Sequence, residues 1–222
     1  MKIALTLPTQ IDAVLDKITE ISLSSSWSAR LAVVDLLQVL VFHNMAIFLS
    51  RDDWIEKVQA IVLRLLEDNV LEVREKASEV LCGMLHCSFL STTDKLLELF
   101  KKKCKTKITI KRGRGIATSS CSIEANLESR ESDAVRIRHT GVLGLCAFIS
   151  AYPYDVPEFV PNVFEHLGAH LNDPQPIPST IRKTMGDFKR THHDNWEQHQ
   201  LKFTEDQLAV LSDLTVPPSY YA

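Results

Sequence analysis

Apolar residues recur at helical spacing along almost the whole chain, and this pattern limits the possible folds more than any other feature. Between Trp54 and Leu65 they stand at i, i+4, i+7, i+8 and i+11, which places them on one face of a helix. Similar stripes cover residues 70–84, 160–171 and 177–188, and Thr204 with Gln207 has the spacing of a capping box. No sustained β alternation is present in the sequence. The predicted class is all-α.

Four arginines that stand early in these apolar segments indicate a repeated unit. Arg30 and Arg74 are 44 residues apart, and so are Arg138 and Arg182. The middle step, from Arg74 to Arg138, is 64 residues, which is one period plus about 20 residues. Helix pairs repeat every ~40–47 residues in HEAT and armadillo solenoids. The sequence therefore predicts a HEAT/armadillo-like α-solenoid of antiparallel helix pairs, with an irregular helical bundle as the alternative.

The extra residues of the middle step coincide with a basic segment, and this sets the predicted organisation of the chain. Between residues 101 and 115 there are eight Lys or Arg and no acid, although the whole chain has a net charge of −3. We predict HEAT-like helices over residues 1–103, a basic flexible insert over 104–132, further HEAT-like helices over 133–216 and an extended tail over 217–222.

The basic segment has three possible roles. Its cations are Lys101, Lys102, Lys103, Lys105, Lys107, Lys111, Arg112 and Arg114. Two clusters of cations on a flexible insert suit the groove of a nuclear-import carrier. A nucleic-acid arm would instead make salt-sensitive phosphate contacts, and a solvated loop would need no partner. The first role is favoured and predicts a protein of the nucleus and cytoplasm.

No pattern in the sequence predicts catalysis, a cofactor or a metal site. The cluster that comes nearest to such chemistry consists of His192, His193, Asp194 and His199. Its histidines lack the i, i+4 spacing that places two ligands on one helical face, so a structural role is favoured. Cys82 and Cys87 lack paired CxxC spacing and are predicted to be buried thiols. Residues 36–50, the longest uncharged stretch near the start, are too few for a membrane helix, so no membrane partner is expected.

The last residues form a candidate docking motif. Pro217 and Pro218 keep the tail extended, and Tyr220 and Tyr221 stand beside the carboxylate of Ala222. An aromatic tail that ends in an anion suits insertion into a pocket that contains a lysine. The alternative is a frayed terminus.

Longer motifs in the second half resemble a known family. They cover residues 153–157 (PYDVP), 169–177 (AHLNDPQPI), 188–196 (FKRTHHDNW) and 203–214 (FTEDQLAVLSDL). Together with the tail they resemble the C-terminal region of the large HEAT-repeat proteasome activators, the proteasome activator complex subunit 4 family. The resemblance is strong from Arg138 to the end, and looser but collinear before it.

The resemblance implies a regulator of a peptidase that has no catalysis of its own. In that family the tail enters a pocket between two α-subunits of the proteasome 20S core particle. Its carboxylate, here that of Ala222, pairs with a pocket lysine, and the penultimate tyrosine, here Tyr221 after Tyr220, helps to open the gate. The family promotes protein degradation by the core particle without ATP or ubiquitin and is linked to DNA repair in the nucleus.

The resemblance also implies a possible acetyl-lysine site. The family's segment that binds lysine-acetylated histones has an Asn-Phe pair before a Leu, whereas this chain has Ser88 and Phe89 before Leu90. A serine hydroxyl stands on a stem one carbon shorter than the asparagine amide. An acetylated-histone reader at Ser88 and Phe89 is therefore the first alternative to proteasome activation. A generic nuclear HEAT scaffold is the second.

Overall fold

The computed structural model describes the backbone of residues 8–108 and 121–215 and the side chains of residues 10–108 and 133–212. Its helices are α1 (Pro8–Ser22), α2 (Trp27–His43), α3 (Met45–Phe48), α4 (Asp52–Leu66), α5 (Leu71–His86), α6 (Asp94–Cys104), α7 (Cys121–Ser150), α8 (Val160–Gly168), α9 (Ile177–Thr191), α10 (Trp196–His199) and α11 (Glu205–Thr215). A 3₁₀ turn at Gln200–Lys202 follows α10. No strand occurs in either described part of the backbone, which confirms the all-α class. None of these helices is both long and apolar enough to cross a membrane.

The helices stack in two layers. The first layer contains α1, α4, α6 and α8, and the second contains α2, α5, α7 and α9. Second-layer helices contact one another in the order α2, α5, α7, α9, while α1, α4 and α6 each pack on the second-layer helix that follows them. The four arginines of the predicted repeat lie one on each second-layer helix. This stacking confirms a HEAT/armadillo-like solenoid.

The apolar stripes predicted from the sequence form the core between the layers. Trp54, Val58 and Leu65 on α4 are each at most 2 % exposed, and the stripes of α5, α8 and α9 are buried in the same way. Aromatic rings join consecutive helices, as when Phe100 of α6 meets Phe148 of α7 edge to face at 6.0 Å between centroids. Each such side chain removed from water contributes about 1.5–3 kcal/mol to folding.

Two glycines let α7 approach α6 closely. A Cβ atom added at Gly144 would lie 2.3 Å from Cδ1 of Phe100, and one at Gly141 would lie 2.6 Å from the Phe100 carbonyl oxygen. Neither position has room for a larger residue, because Phe100 is fully buried. These glycines therefore determine how tightly the third helix pair packs.

The helix bounds refine the predicted segments. Helix α7 begins at Cys121, so residues 121–132 of the predicted insert have a helical backbone, and the bounds of the insert stay a prediction. Helix α8 begins at Val160 with Pro161 in its first turn, where proline is tolerated because the amide N–H has no helical partner.

Candidate partner-binding site

Helix α11 closes the C-terminal end of the solenoid and packs against both α8 and α9. The predicted capping box is confirmed: the Thr204 N–H donates to Gln207 Oε1 at 3.1 Å, and the Gln207 N–H donates to Thr204 Oγ1 at 3.3 Å. Gln207 Nε2 also donates to Asn162 Oδ1 on α8 at 3.3 Å. These bonds fix both the start of α11 and its orientation on α8.

The body of α11 is held by close packing. A Cβ atom added at Gly168 would lie 2.7 Å from Val210 Cγ1, so α11 passes directly over the end of α8. Leu211 on α11 and Phe203 just before it are buried at 6 % and 8 % exposure. The predicted docking residues Tyr220, Tyr221 and Ala222 lie outside the described residues. The structure therefore shows a firmly attached helix directly before the tail.

Two of the motifs that carry the family resemblance, residues 153–157 and 188–196, meet at Asp155. Lys202 Nζ donates to Asp155 Oδ1 at 3.0 Å and to the Val156 carbonyl oxygen at 2.7 Å. The Lys202 hydrogen bond lowers the pKa of Asp155. His192 Nε2 is 3.1 Å from the Asp155 carbonyl oxygen, so the residue after α9 contacts the same loop. Residues 153–157 and 188–196 thus form one structural block.

The histidine cluster of the sequence analysis belongs to this block. His192 is 2 % exposed, and its ring meets that of His199 edge to face at 5.2 Å. Burial, and then the charge of His192, lower the pKa of His199. His193, by contrast, is exposed. The cluster is divided between the core and the surface, which agrees with the structural role that was favoured.

Part of the basic segment belongs to the folded solenoid. Lys101 pairs with Glu98 at 2.9 Å, and Lys103 pairs with Glu67, the residue directly after α4, at 2.6 Å. The exposed cations of its described part are Lys102, Lys105 and Lys107, whereas Lys111, Arg112 and Arg114 lie outside the described residues. The described cations of the basic segment therefore include both exposed lysines and lysines paired with glutamates.

The two residues of the predicted acetyl-lysine site have different surroundings. Ser88 is exposed just after α5 and has a positive φ of 58°. Phe89 is only 3 % exposed, and its ring meets that of Phe48 edge to face at 6.2 Å. A ligand could touch the Phe89 ring only if this ring left the core. The reader site stays a prediction.

The described cysteines are free thiols with little exposure. Burial raises the pKa of Cys82 to about 11, with Glu79 adding to the effect. Cys82 and Cys87 are half-buried, and the Cys87 thiol donates to the Met84 carbonyl oxygen at 3.5 Å. Both residues are therefore less buried than predicted, and the Cys82 thiol remains protonated at neutral pH.

Comparisons with known proteins show which family the chain belongs to. Residues 135–222 match the family described as proteasome activator complex subunit 4-like, C-terminal. The chain is 48 % identical over 213 residues to proteasome activator complex subunit 4A of Danio rerio, which covers 96 % of this chain and 11 % of that protein. It is 45 % identical over 222 residues to proteasome activator complex subunit 4 of Homo sapiens, which covers all of this chain and 12 % of that protein.

A more distant relative extends the same similarity. Proteasome activator BLM10 of Saccharomyces cerevisiae is 25 % identical over 171 residues, which cover 74 % of this chain and 7 % of that protein. The chain thus spans about one-eighth or less of the length of each of these relatives. On the match of its second half and its alignment over almost all residues, the chain belongs to the proteasome activator complex subunit 4 family.

Proposed function

We propose that this chain acts as a proteasome activator segment that binds the α-ring of the 20S core particle through Tyr220, Tyr221 and Ala222. The observation that carries the proposal is the family match over residues 135–222, which includes the whole tail. The relatives are named proteasome activators, in animals and in yeast. The position of the tail directly after α11 also supports the proposal, because the capping box and the Gln207–Asn162 hydrogen bond hold the start of this helix on α8.

The proposed mechanism uses the chemistry of the three terminal residues. The carboxylate of Ala222 pairs with a lysine in a pocket between two α-subunits, and the aromatic rings bury apolar surface in that pocket. Tyr221 promotes gate opening, so that unfolded substrates enter without ATP or ubiquitin. The chain contributes no catalytic group in this mechanism, and the peptide bonds are cleaved by the core particle.

Binding to immobilised 20S core tests the proposal. Tyr221→Ala, and separately the removal of Ala222, are expected to weaken binding at least about tenfold, because truncating a buried aromatic anchor typically has a large effect. Tyr154→Ala is the matched control, since Tyr154 is 77 % exposed and lies outside the tail. Binding that is equal for the chain and both tail variants would overturn the proposal.

We also propose that the basic segment serves nuclear import, giving a protein of both nucleus and cytoplasm. Changing Lys102, Lys105, Lys107, Lys111 and Arg112 to Gln should shift a tandem fluorescent fusion, too large to diffuse, toward the cytoplasm. Changing Lys101 and Lys103 is the control, because both are already paired with glutamates. A fusion that stays nuclear after the first set of changes would refute the import role.

A further inference from the structure

Three metal-ligating side chains converge between the first-layer helices α6 and α8. Cys104 is the last residue of α6, His166 lies on α8, and His170 lies in the turn directly after α8. Each residue offers one ligand atom, and these three atoms lie within 4.8 Å of one another. They are the thiol sulfur and one ring nitrogen of each histidine. The two histidines have the i, i+4 spacing that places both rings on one side of a helix.

The ring of His166 is the clearest sign that a ligand is missing from this cluster. Its Nε2 atom is buried and has no hydrogen-bond partner in the structure. Burial lowers the pKa of His166, while a hydrogen bond that the ring donates to the Lys101 backbone acts in the opposite direction. A neutral imidazole with a buried, unused lone pair is the form that binds a metal ion.

The second histidine is oriented in the way that metal-binding histidines are. His170 Nδ1 is 2.8 Å from Asp173 Oδ2, so it donates its proton to this carboxylate and leaves Nε2 with the free lone pair. Asp173 Oδ1 in turn accepts from Arg138 Nη1 at 2.7 Å. A carboxylate that holds the far nitrogen of a histidine fixes the tautomer and the ring angle that a metal requires.

We propose that Cys104, His166 and His170 bind Zn²⁺ and thereby tie α6 to α8. One thiolate and two imidazoles are a donor set that suits zinc, which takes four ligands in a tetrahedron. A groove beside His166 is lined by Glu98, Lys101, Lys105, Asn162, Glu165, His166 and Ala169.

Metal binding at this cluster must release a proton. Burial raises the pKa of the Cys104 thiol to about 12, with a further contribution from Cys146. Without metal the residue is therefore an uncharged thiol. When Zn²⁺ binds, the sulfur–hydrogen bond is replaced by a sulfur–zinc bond, and one proton leaves to solvent.

Spectroscopic titration of the full chain, first stripped of metal with a chelator, tests this site. Co²⁺ is the probe, because a thiolate ligand gives a charge-transfer band in the near ultraviolet and tetrahedral geometry gives intense visible bands. We expect both bands at one Co²⁺ per chain and their loss when Zn²⁺ displaces Co²⁺. His166→Gln should weaken binding of both ions at least about tenfold. This variant should keep its fold, since the Nε2 atom that it removes has no partner.

His193→Gln and Cys87→Ser are matched controls, because they remove an exposed histidine and a half-buried thiol outside the cluster. Both should bind Co²⁺ like the unmodified chain. Circular dichroism of each variant reports its folding independently of the metal. The proposal is overturned if the chain gives no thiolate band, if the band persists undiminished in His166→Gln, or if a control variant loses it. None of these outcomes depends on binding to the proteasome.

Discussion

At the scale of single residues, His139 links three second-layer helices. Arg74 Nε of α5 donates to His139 Nδ1 at 3.4 Å, and His139 Nε2 donates to Thr180 Oγ1 of α9 at 2.9 Å. The Thr180 hydroxyl then donates to the Pro176 carbonyl oxygen at 3.1 Å. This order of donors requires a neutral His139, because a protonated Nδ1 could no longer accept from Arg74.

Stability should therefore fall in acid because of His139. Burial, and then the charge of Arg74, lower the pKa of His139 from 6.5 to about 3 in the folded protein. Below pH 6.5 the unfolded chain binds a proton that the folded chain does not, so the His139 contribution is complete above that pH and is lost as the pH falls toward about 3. Between about pH 6 and 4, the free energy of unfolding should drop up to ~1.4 kcal/mol per pH unit faster than in His139→Gln.

Urea denaturation of both proteins across this pH range gives the difference directly. Other acidic groups titrate in both proteins, so their contributions cancel in the difference. Parallel pH profiles for the unmodified chain and His139→Gln would show that His139 is not held neutral.

At the scale of elements, arginine–aspartate pairs join consecutive repeats. Arg30 of α2 reaches forward to Asp68, in the turn after α4, with Nη2 at 2.8 Å from Oδ1. Arg138 of α7 reaches Asp173, in the turn after α8, in the same way. Arg74 instead contacts the Asp68 carbonyl oxygen and His139, and Arg182 is exposed on α9. The pairs are thus present at two of the repeat junctions.

Breaking one pair should destabilise the solenoid strongly. The side chains of Arg30 and Asp68 are only 11 % and 7 % exposed. Burial raises the pKa of Asp68, whereas the hydrogen bond from Arg30 lowers it. On balance the pKa of Asp68 lies below its usual value. Asp68→Asn should lower the free energy of unfolding by about 3–5 kcal/mol, because it leaves the Arg30 charge buried without its partner.

The matched control is Glu20→Gln, which also removes one carboxylate from an ion pair. Glu20 and Lys17 are 68 % and 63 % exposed, so this change should lower the free energy of unfolding by less than about 1 kcal/mol. Chemical denaturation measures both variants, and equal costs would contradict the role assigned to Asp68.

The glycines at the α6–α7 contact allow a second comparison between elements. Gly144→Ala should lower the free energy of unfolding by about 1–3 kcal/mol, since its new methyl group would overlap the buried Phe100 ring. Gly186→Ala on α9 should stabilise by about 0.5–1 kcal/mol, because no atom lies within 4 Å of the added Cβ and alanine favours helix. Thermal unfolding midpoints should move in opposite directions. A shift of the same sign in both would refute the packing argument.

Local features of the helices could be predicted from the sequence, whereas contacts between repeats could not. Apolar periodicity is a local property, so it predicted the buried stripes, and the arginine spacing located the second-layer helices. The partners of those arginines were missed, because Asp68 and Asp173 come close only through the stacking of repeats. The metal cluster was missed for the same reason: His166 and His170 have a recognisable spacing, but Cys104 joins them from another repeat. Phe89 was expected at a ligand site, whereas packing against Phe48 places it in the core.

At the scale of the whole molecule, hydrogen bonds and ion pairs connect the described helices from one repeat to the next. Arg30 and Arg138 bind aspartates in the turns of the following helix pairs, His139 connects α5, α7 and α9, and Gln207 bonds α11 to α8. The predicted docking residues follow α11 in the sequence and lie outside the described part of the chain. We predict that changes to Tyr221 or Ala222 alter binding to a partner and leave these stabilising contacts in place.

The most direct test of the proposed function is the rate at which purified 20S core hydrolyses a fluorogenic peptide as this chain is added. We predict that the unmodified chain raises the rate. Tyr221→Ala, or removal of Ala222, should lower this stimulation while circular dichroism and the unfolding midpoint stay unchanged. Stimulation by both tail variants that equals that of the unmodified chain would contradict gate opening through the tail.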